Sequence, residues 1–186
     1  MSYTKPNTPI NITPKGLDSV INTINDSIRL DWLHKFNRAY LRNDKPMIRE
    51  FGNVEYKDLT PNDSLLRSIA NKEFKAVSFW YPDEDITANE YEISDNSVKY
   101  DRDVTLIIWA NLNKLYPTNP SMTSENLIND VLKALKRTML FEVNSITEGA
   151  AVWSDFTLPE NNKYFELPYY TIGIRGNIAY TYDLNC

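Results

Sequence analysis

Apolar residues recur at helical spacing in two segments of the chain and alternate at strand spacing in several others. In "TPKGLDSVINTINDSI", Leu17, Val20, Ile21, Ile24 and Ile28 fall on one face, and Asp18, Asn22, Asn25 and Asp26 on the other. That is the pattern of an amphipathic helix. Thr13 is placed to cap it, and Pro14 to take its first position, where a missing N–H costs nothing. A second helix is predicted from Ser124 to about Leu140, "SENLINDVLKALKRTML", with an apolar stripe of Leu127, Ile128, Val131, Leu132, Leu135 and Met139. Thr123 or Ser124 caps it, and Glu125 suits the positive end of the helix dipole. Strands are predicted near 32–41, 47–57, 74–82, 100–112, 150–158 and 170–182, with a short helix over 60–71.

Two of these strands are unusual. In "YDRDVTLIIWANL" (100–112), Val104, Leu106, Ile108 and Ala110 line one face, while Ile107 and Trp109, with Thr105 and Asn111, line the other. One face belongs on the chain's own core, and the second needs a cover. Further on, Tyr170, Ile172, Ile174, Ile178, Tyr180 and Tyr182 alternate with Thr171, Gly173, Arg175, Asn177, Ala179 and Thr181. A two-residue turn at Gly176-Asn177 would pair Arg175 with Ile178 and mix polar with apolar residues on each face. One continuous strand keeps the large side chains together, because a one-residue slip exchanges the faces. The expectation is a single strand, bulged at Gly176 and spanning about 40 Å. A small domain has difficulty covering so long a strand alone. The predicted fold class is α+β: a mixed or antiparallel sheet of about 4–6 strands with two main helices packed on one face. Residues 1–13 are read as a polar N-terminal arm. Residues 14–186 are read as one domain with an exposed acidic loop near 82–99, either solvated or an exposed hairpin.

A length of 186 residues fits one domain. Net charge is −5, the pI is about 5.0, and no basic stripe of the kind nucleic-acid binders carry is present. The basic cluster Lys133, Lys136 and Arg137 falls at a helix end, where the dipole favours cations. Cys186 is the only cysteine, which excludes an intrachain disulfide and a Cys-rich metal site. No run has the length of a signal-peptide core or a membrane-spanning helix. A reducing cytoplasm is therefore the expected place of synthesis.

The sequence offers little catalytic chemistry. His34 is the only histidine, a poor start for a metal site or a triad. Asp83, Glu84, Asp85, Glu90 and Glu92 cluster in "PDEDITANEYE" without the spacing or central glycine of a calcium loop. They are read as a solvated loop that contacts a partner. No phosphate-binding or nucleophile-elbow motif occurs, and no catalytic, metal or cofactor site is expected. The aromatics Trp80, Tyr81, Trp109, Trp153, Tyr164, Phe165, Tyr169 and Tyr170 lie on or beside predicted strands. Core is their first reading, a protein interface the second and a small-ligand platform the third.

The order of parts suggests a family. An amphipathic helix leads into aromatic strands, then the central strand "DVTLIIWANL", the helix "SENLINDVLKALKRTML" and the closing strand "YYTIGIRGNIAYTYDL". Over roughly residues 14–184 this arrangement resembles the tail-terminator and head–tail joining (neck) proteins of tailed bacteriophages. The phrase "KPMIREFGNVEYKDLTPND" is similar to proteins from phages and prophages of Bacteroidetes. The resemblance is one of arrangement, and no single motif is diagnostic. It implies a virion structural protein, made in the host cytoplasm, whose copies close into a ring of six or twelve. Portal, connector or tail-tube proteins would be its neighbours, DNA would pass without specific binding, and no membrane would be involved. Neighbouring subunits would then cover part of the strand's second face. Trp109, Tyr169, Tyr170, Arg175, Tyr180 and Tyr182 are the expected interface residues. The alternative is a cytoplasmic α+β enzyme or ligand-binding domain with an aromatic pocket.

Overall fold

The structure is a computed structural model that describes residues 15–42, 45–48, 57–58, 74–82, 87–88, 97–117, 124–154 and 168–183. Helix α1 (Leu17–Ser27) is followed by strands β1 (Leu33–Arg42), β2 (Lys45–Ile48), β3 (Lys57–Asp58), β4 (Ala76–Pro82), β5 (Thr87–Ala88) and β6 (Ser97–Asn111). One helical turn, α2 (Leu112–Leu115), and helix α3 (Ser124–Lys136) come next. Strand β7 (Glu142–Glu148), a 3-10 helix (Gly149–Trp153) and strand β8 (Tyr169–Asp183) complete the order.

The fold is α+β. Five longer strands form the body of a mixed sheet in the order β1-β4-β6-β8-β7; β2 and β3 extend it beyond β1, and β5 pairs with β6. Among the described residues, only β1 and β4 run parallel. Both main helices lie on one face, as the sequence pattern predicts. Leu17, Ile21, Ile24 and Ile28 of the first helical segment, and Leu127, Val131, Ala134 and Leu135 of α3, share a core with Trp80, Leu106, Ile108, Ile172, Ile174 and Ile178. Each large aliphatic side chain buried this way stabilises the fold by roughly 1.5–3 kcal/mol before conformational entropy is set against it.

On the second face of β6, Ile107 and Trp109 are covered from within the chain. Ile107 and Trp109 are buried with Phe36, Ala39, Val77, Phe79, Val152 and Trp153. The cover includes a segment predicted as strand 150–158. Over Gly149–Trp153 that segment is instead a 3-10 helix, and residues 155–158 lie outside the described ones. Val152 and Trp153 are adjacent, yet both are buried. A strand would send neighbours to opposite faces; a helical turn can turn both inward. Gly149, at φ +66, makes the break between β7 and this turn.

Other boundaries shift for local reasons. Helix α1 starts at Leu17 after Gly16, whose φ of 56° and ψ of −131° suit only glycine; Thr13 and Pro14 lie outside the described residues. The second helix stops at Lys136 rather than near Leu140, and Met139, predicted on its apolar stripe, takes φ 53° and is 92% exposed. Ser124 is its first residue and Thr123 lies outside the described ones. Within the predicted 47–57 strand the described residues form β2, which begins at Lys45, and the two-residue β3. The predicted 60–71 helix lies outside the described residues. The 82–99 segment contributes β5, whose Thr87 and Ala88 pair with Asp101 and Tyr100, and β6 begins at Ser97. This favours the hairpin form of that expectation.

The 170–182 pattern is one strand of 15 residues, in unbroken register with β6 from Asn111↔Tyr169 to Ser97↔Asp183. The irregularity expected at Gly176 lies on its other neighbour. Val143 pairs with Gly176 and Ser145 with Arg175, which leaves Asn144 as the extra residue of a bulge in β7.

A second bulge shapes β1. Lys35 pairs with Ser78 and Arg38 with Trp80, so three steps on β1 match two on β4. Both cations can therefore reach α1. The Lys35 ammonium donates to the carbonyls of Asn25 and Ile28, satisfying helix-end oxygens that have no partner inside the helix. Arg38 Nε lies 3.1 Å from Asp18 Oδ1.

Candidate functional site

The six aromatic and basic residues singled out from the sequence do not form one site. They are spread along β6 and β8 and divided between the faces. Trp109 is fully buried and stacks on Tyr169, ring centroids 5.6 Å apart. It is a core residue and is not presented at the surface. Arg175 is on the same face but exposed, and pairs with Asp103 at 3.5 Å. Tyr170, Tyr180 and Tyr182 are on the helical face. Tyr180 is buried, Tyr182 is 42% exposed, and both pack with Tyr100 at centroid distances of 5.8 and 5.7 Å. A cleft of about 300 Å³, open to solvent, runs between this cluster and the start of α1, lined by Lys15, Gly16, Ser19 and Val20. The acidic residues Asp83, Glu84, Asp85, Glu90 and Glu92 lie outside the described residues.

At the other end of β8, the Tyr170 hydroxyl donates to the Glu148 carboxylate. Burial, then this hydrogen bond, push the phenol up to about 12 from its ordinary 10.0. The folded value lies above the unfolded one. The neutral phenol's contribution to stability is therefore complete below pH 10 and is lost as pH rises toward 12. A spectrophotometric titration of wild type against Tyr170→Phe should show one phenolate fewer in the variant, the difference appearing near pH 12. A difference centred near pH 10 would mean that this contact does not hold the proton.

The feature that sequence reasoning missed is β7. It ends the sheet beyond β8, and all seven of its residues are exposed. Its inner edge is hydrogen-bonded to β8; its outer edge is paired with no other strand among the described residues. The Asn144 bulge changes what it displays. Val143 lies opposite Gly176 and Ile146 opposite Ile174, so both share the helical side of the sheet. Without the bulge, residues three apart would face opposite ways. Among the described residues, the exposed large hydrophobics are Met139, Leu140, Val143, Ile146 and Tyr182. Four of these five fall within eight consecutive residues. Exposed apolar side chains gathered in so short a stretch make it a candidate interaction site, and an open edge strand is a template for another strand.

His34 lies between two rings, stacked on Phe74 at 4.0 Å and edge-on to Phe36 at 4.6 Å. It packs as an aromatic. No group of three or more His, Cys, Asp or Glu side chains among the described residues is arranged to hold a metal ion. No described helix is long and apolar enough to cross a membrane. Compared with protein-family models and with curated protein sequences, the chain matches none.

Proposed function

We propose that this protein is an assembly subunit that joins its neighbours through the β7 edge. The most specific form of this reading is the one its sequence resemblance suggests: a ring-forming tail-terminator or neck protein of a tailed phage, in six or twelve copies. The observation that carries the assembly reading is the concentration of exposed apolar side chains, Met139 to Ile146, on and beside an edge strand exposed along its whole length. Natural sheets usually protect such edges with charge, proline or a covering element. Here the edge carries one glutamate at each end and two aliphatic side chains between them. The net charge of −5 fits a ring through which DNA passes without being gripped. The phage assignment rests on the arrangement of sequence segments, and the choice of β7 rests on exposure and topology.

The Tyr180–Tyr182 cleft favours a second reading, a small-ligand site on an aromatic platform. Its openness to solvent suits that reading less well than a closed pocket would. Amide hydrogen exchange separates the two readings. Under the assembly reading, β7 amides gain protection as protein concentration rises, while α1 amides, already inside the fold, do not change. Exchange in β7 that is independent of concentration would count against the edge as the contact.

A further inference from the structure

We infer that the strand received by the β7 edge is the segment Ile10–Thr13 of a second copy of this chain. The inference rests on the assembly reading and names its contact.

The edge does not suit pairing with itself. Two β7 strands related by a two-fold axis at Ser145 would set Glu142 opposite Glu148 twice, and like charges directly opposite destabilise a strand pair. A partner strand should be basic or neutral, contain alternating aliphatic residues, and be free of acid. The N-terminal segment meets each condition. Lys5 and Lys15 are the only charged side chains before Asp18. Ile10 and Ile12 alternate with Asn11 and Thr13, between Pro9 and Pro14. Proline is tolerated at the ends of a strand that forms a sheet edge. Val143 and Ile146, brought to one side by the bulge, offer the aliphatic surface that Ile10 and Ile12 would meet.

Reach decides between the chain's own segment and a neighbour's. Gly16 lies against the Tyr182 ring, so close that an added Cβ would fall 2.5 Å from it. The described chain therefore begins beside the end of β8. Val143 and Ile146 lie opposite Gly176 and Ile174, about 20 and 26 Å back along β8 at about 3.3 Å per residue. Fully extended from Gly16, Ile12 reaches about 13 Å and Ile10 about 20 Å, with about 10 Å of sideways travel to the outer edge still to cover. The two isoleucines fall short of their places in the same chain. A second copy carries no such restriction.

Disulfide trapping tests this with the full chain. In a Cys186→Ser background, one population carries Asn11→Cys and a second, distinguished by a short tag, carries Ser145→Cys, since Asn11 and Ser145 would both face away from the aliphatic side. Each chain then holds one thiol, so any mixed disulfide joins two copies. Directly paired strand positions lie within disulfide distance. The expected result is a mixed dimer on mild oxidation, strongest at one or two positions as the first cysteine is moved through Ile10, Asn11, Ile12 and Thr13. The exposed control Asn113→Cys should give at least tenfold less with the same partners. Light scattering on the same samples separates the failures. Assemblies that form without a mixed disulfide above control would overturn this inference and leave the assembly reading standing. Monomers without a mixed disulfide would overturn both.

Discussion

Replacing Asn25 with alanine should destabilise the protein by about 3–5 kcal/mol, a large effect for a single polar side chain. Asn25 sits on the polar side of the predicted helix, yet it is buried at 5% exposure. Its amide donates to the Phe36 carbonyl at 3.0 Å and to Asn37 Oδ1 at 2.9 Å, and its oxygen accepts from Trp80 Nε1 at 2.9 Å. One side chain thus connects α1, the bulged part of β1 and the indole of the central strand β4. Truncation leaves three polar groups without this partner, two of them on buried side chains, and each such loss costs roughly 1–3 kcal/mol. For a chain of this length that corresponds to a fall in melting temperature of about 10 °C. The network also predicts non-additivity. Once Trp80→Phe has removed the indole N–H, Asn25→Ala should cost about 1 kcal/mol less than it does in the wild-type background. A loss under 1 kcal/mol for Asn25→Ala alone would show that the bridge is not what fixes the helix to the sheet.

Gly176→Ala should cost about 3 kcal/mol, at the upper end for adding one methyl group to a packed site. An added Cβ would lie 2.0 Å from the Glu142 carbonyl oxygen and 2.7 Å from the Phe141 ring. The first obstacle is backbone, so relief requires β7 to move away from β8. Gly173→Ala is the control. Its nearest neighbour is a Val152 methyl at 3.1 Å, which can shift, and a loss of about 1 kcal/mol or less is expected. Thermal unfolding measures both, and amide exchange should show β7 as the region loosened by Gly176→Ala. Equal effects at the two glycines would contradict the tight approach of β7.

The sheet and helices were legible because their patterns are regular. The β8 alternation runs uninterrupted, and α1 and α3 carry apolar stripes that the core uses almost residue for residue. What escaped depended on bulges and on breaks at positive φ. Val143 and Ile146 are three apart, a spacing that does not read as a strand, and only the extra residue Asn144 brings them together. The sequence reading consequently assigned no element to 142–148 and extended the preceding helix through Met139. Gly149 then ends β7, and the start of "AAVWSDFTL", which reads as a strand, is a 3-10 turn. Asn25 was invisible for a different reason. Its burial follows from a bulge on β1 that no local pattern announces. Trp109 drew attention as an aromatic on a two-sided apolar strand; its cover came from the turn that the reading had misassigned.

The central claim is that β7 and the residues beside it join copies of this chain. Particle mass by light scattering over a concentration series, wild type beside Ile146→Lys, tests it most directly. Ile146 is 37% exposed, so the substitution should leave folding intact while placing a charge on the contact. The account predicts that wild type grows with concentration into a closed species of six or twelve copies, seen as rings in negative stain, and that Ile146→Lys remains monomeric. Wild type that stays monomeric throughout, or a variant that assembles just as well, would contradict it.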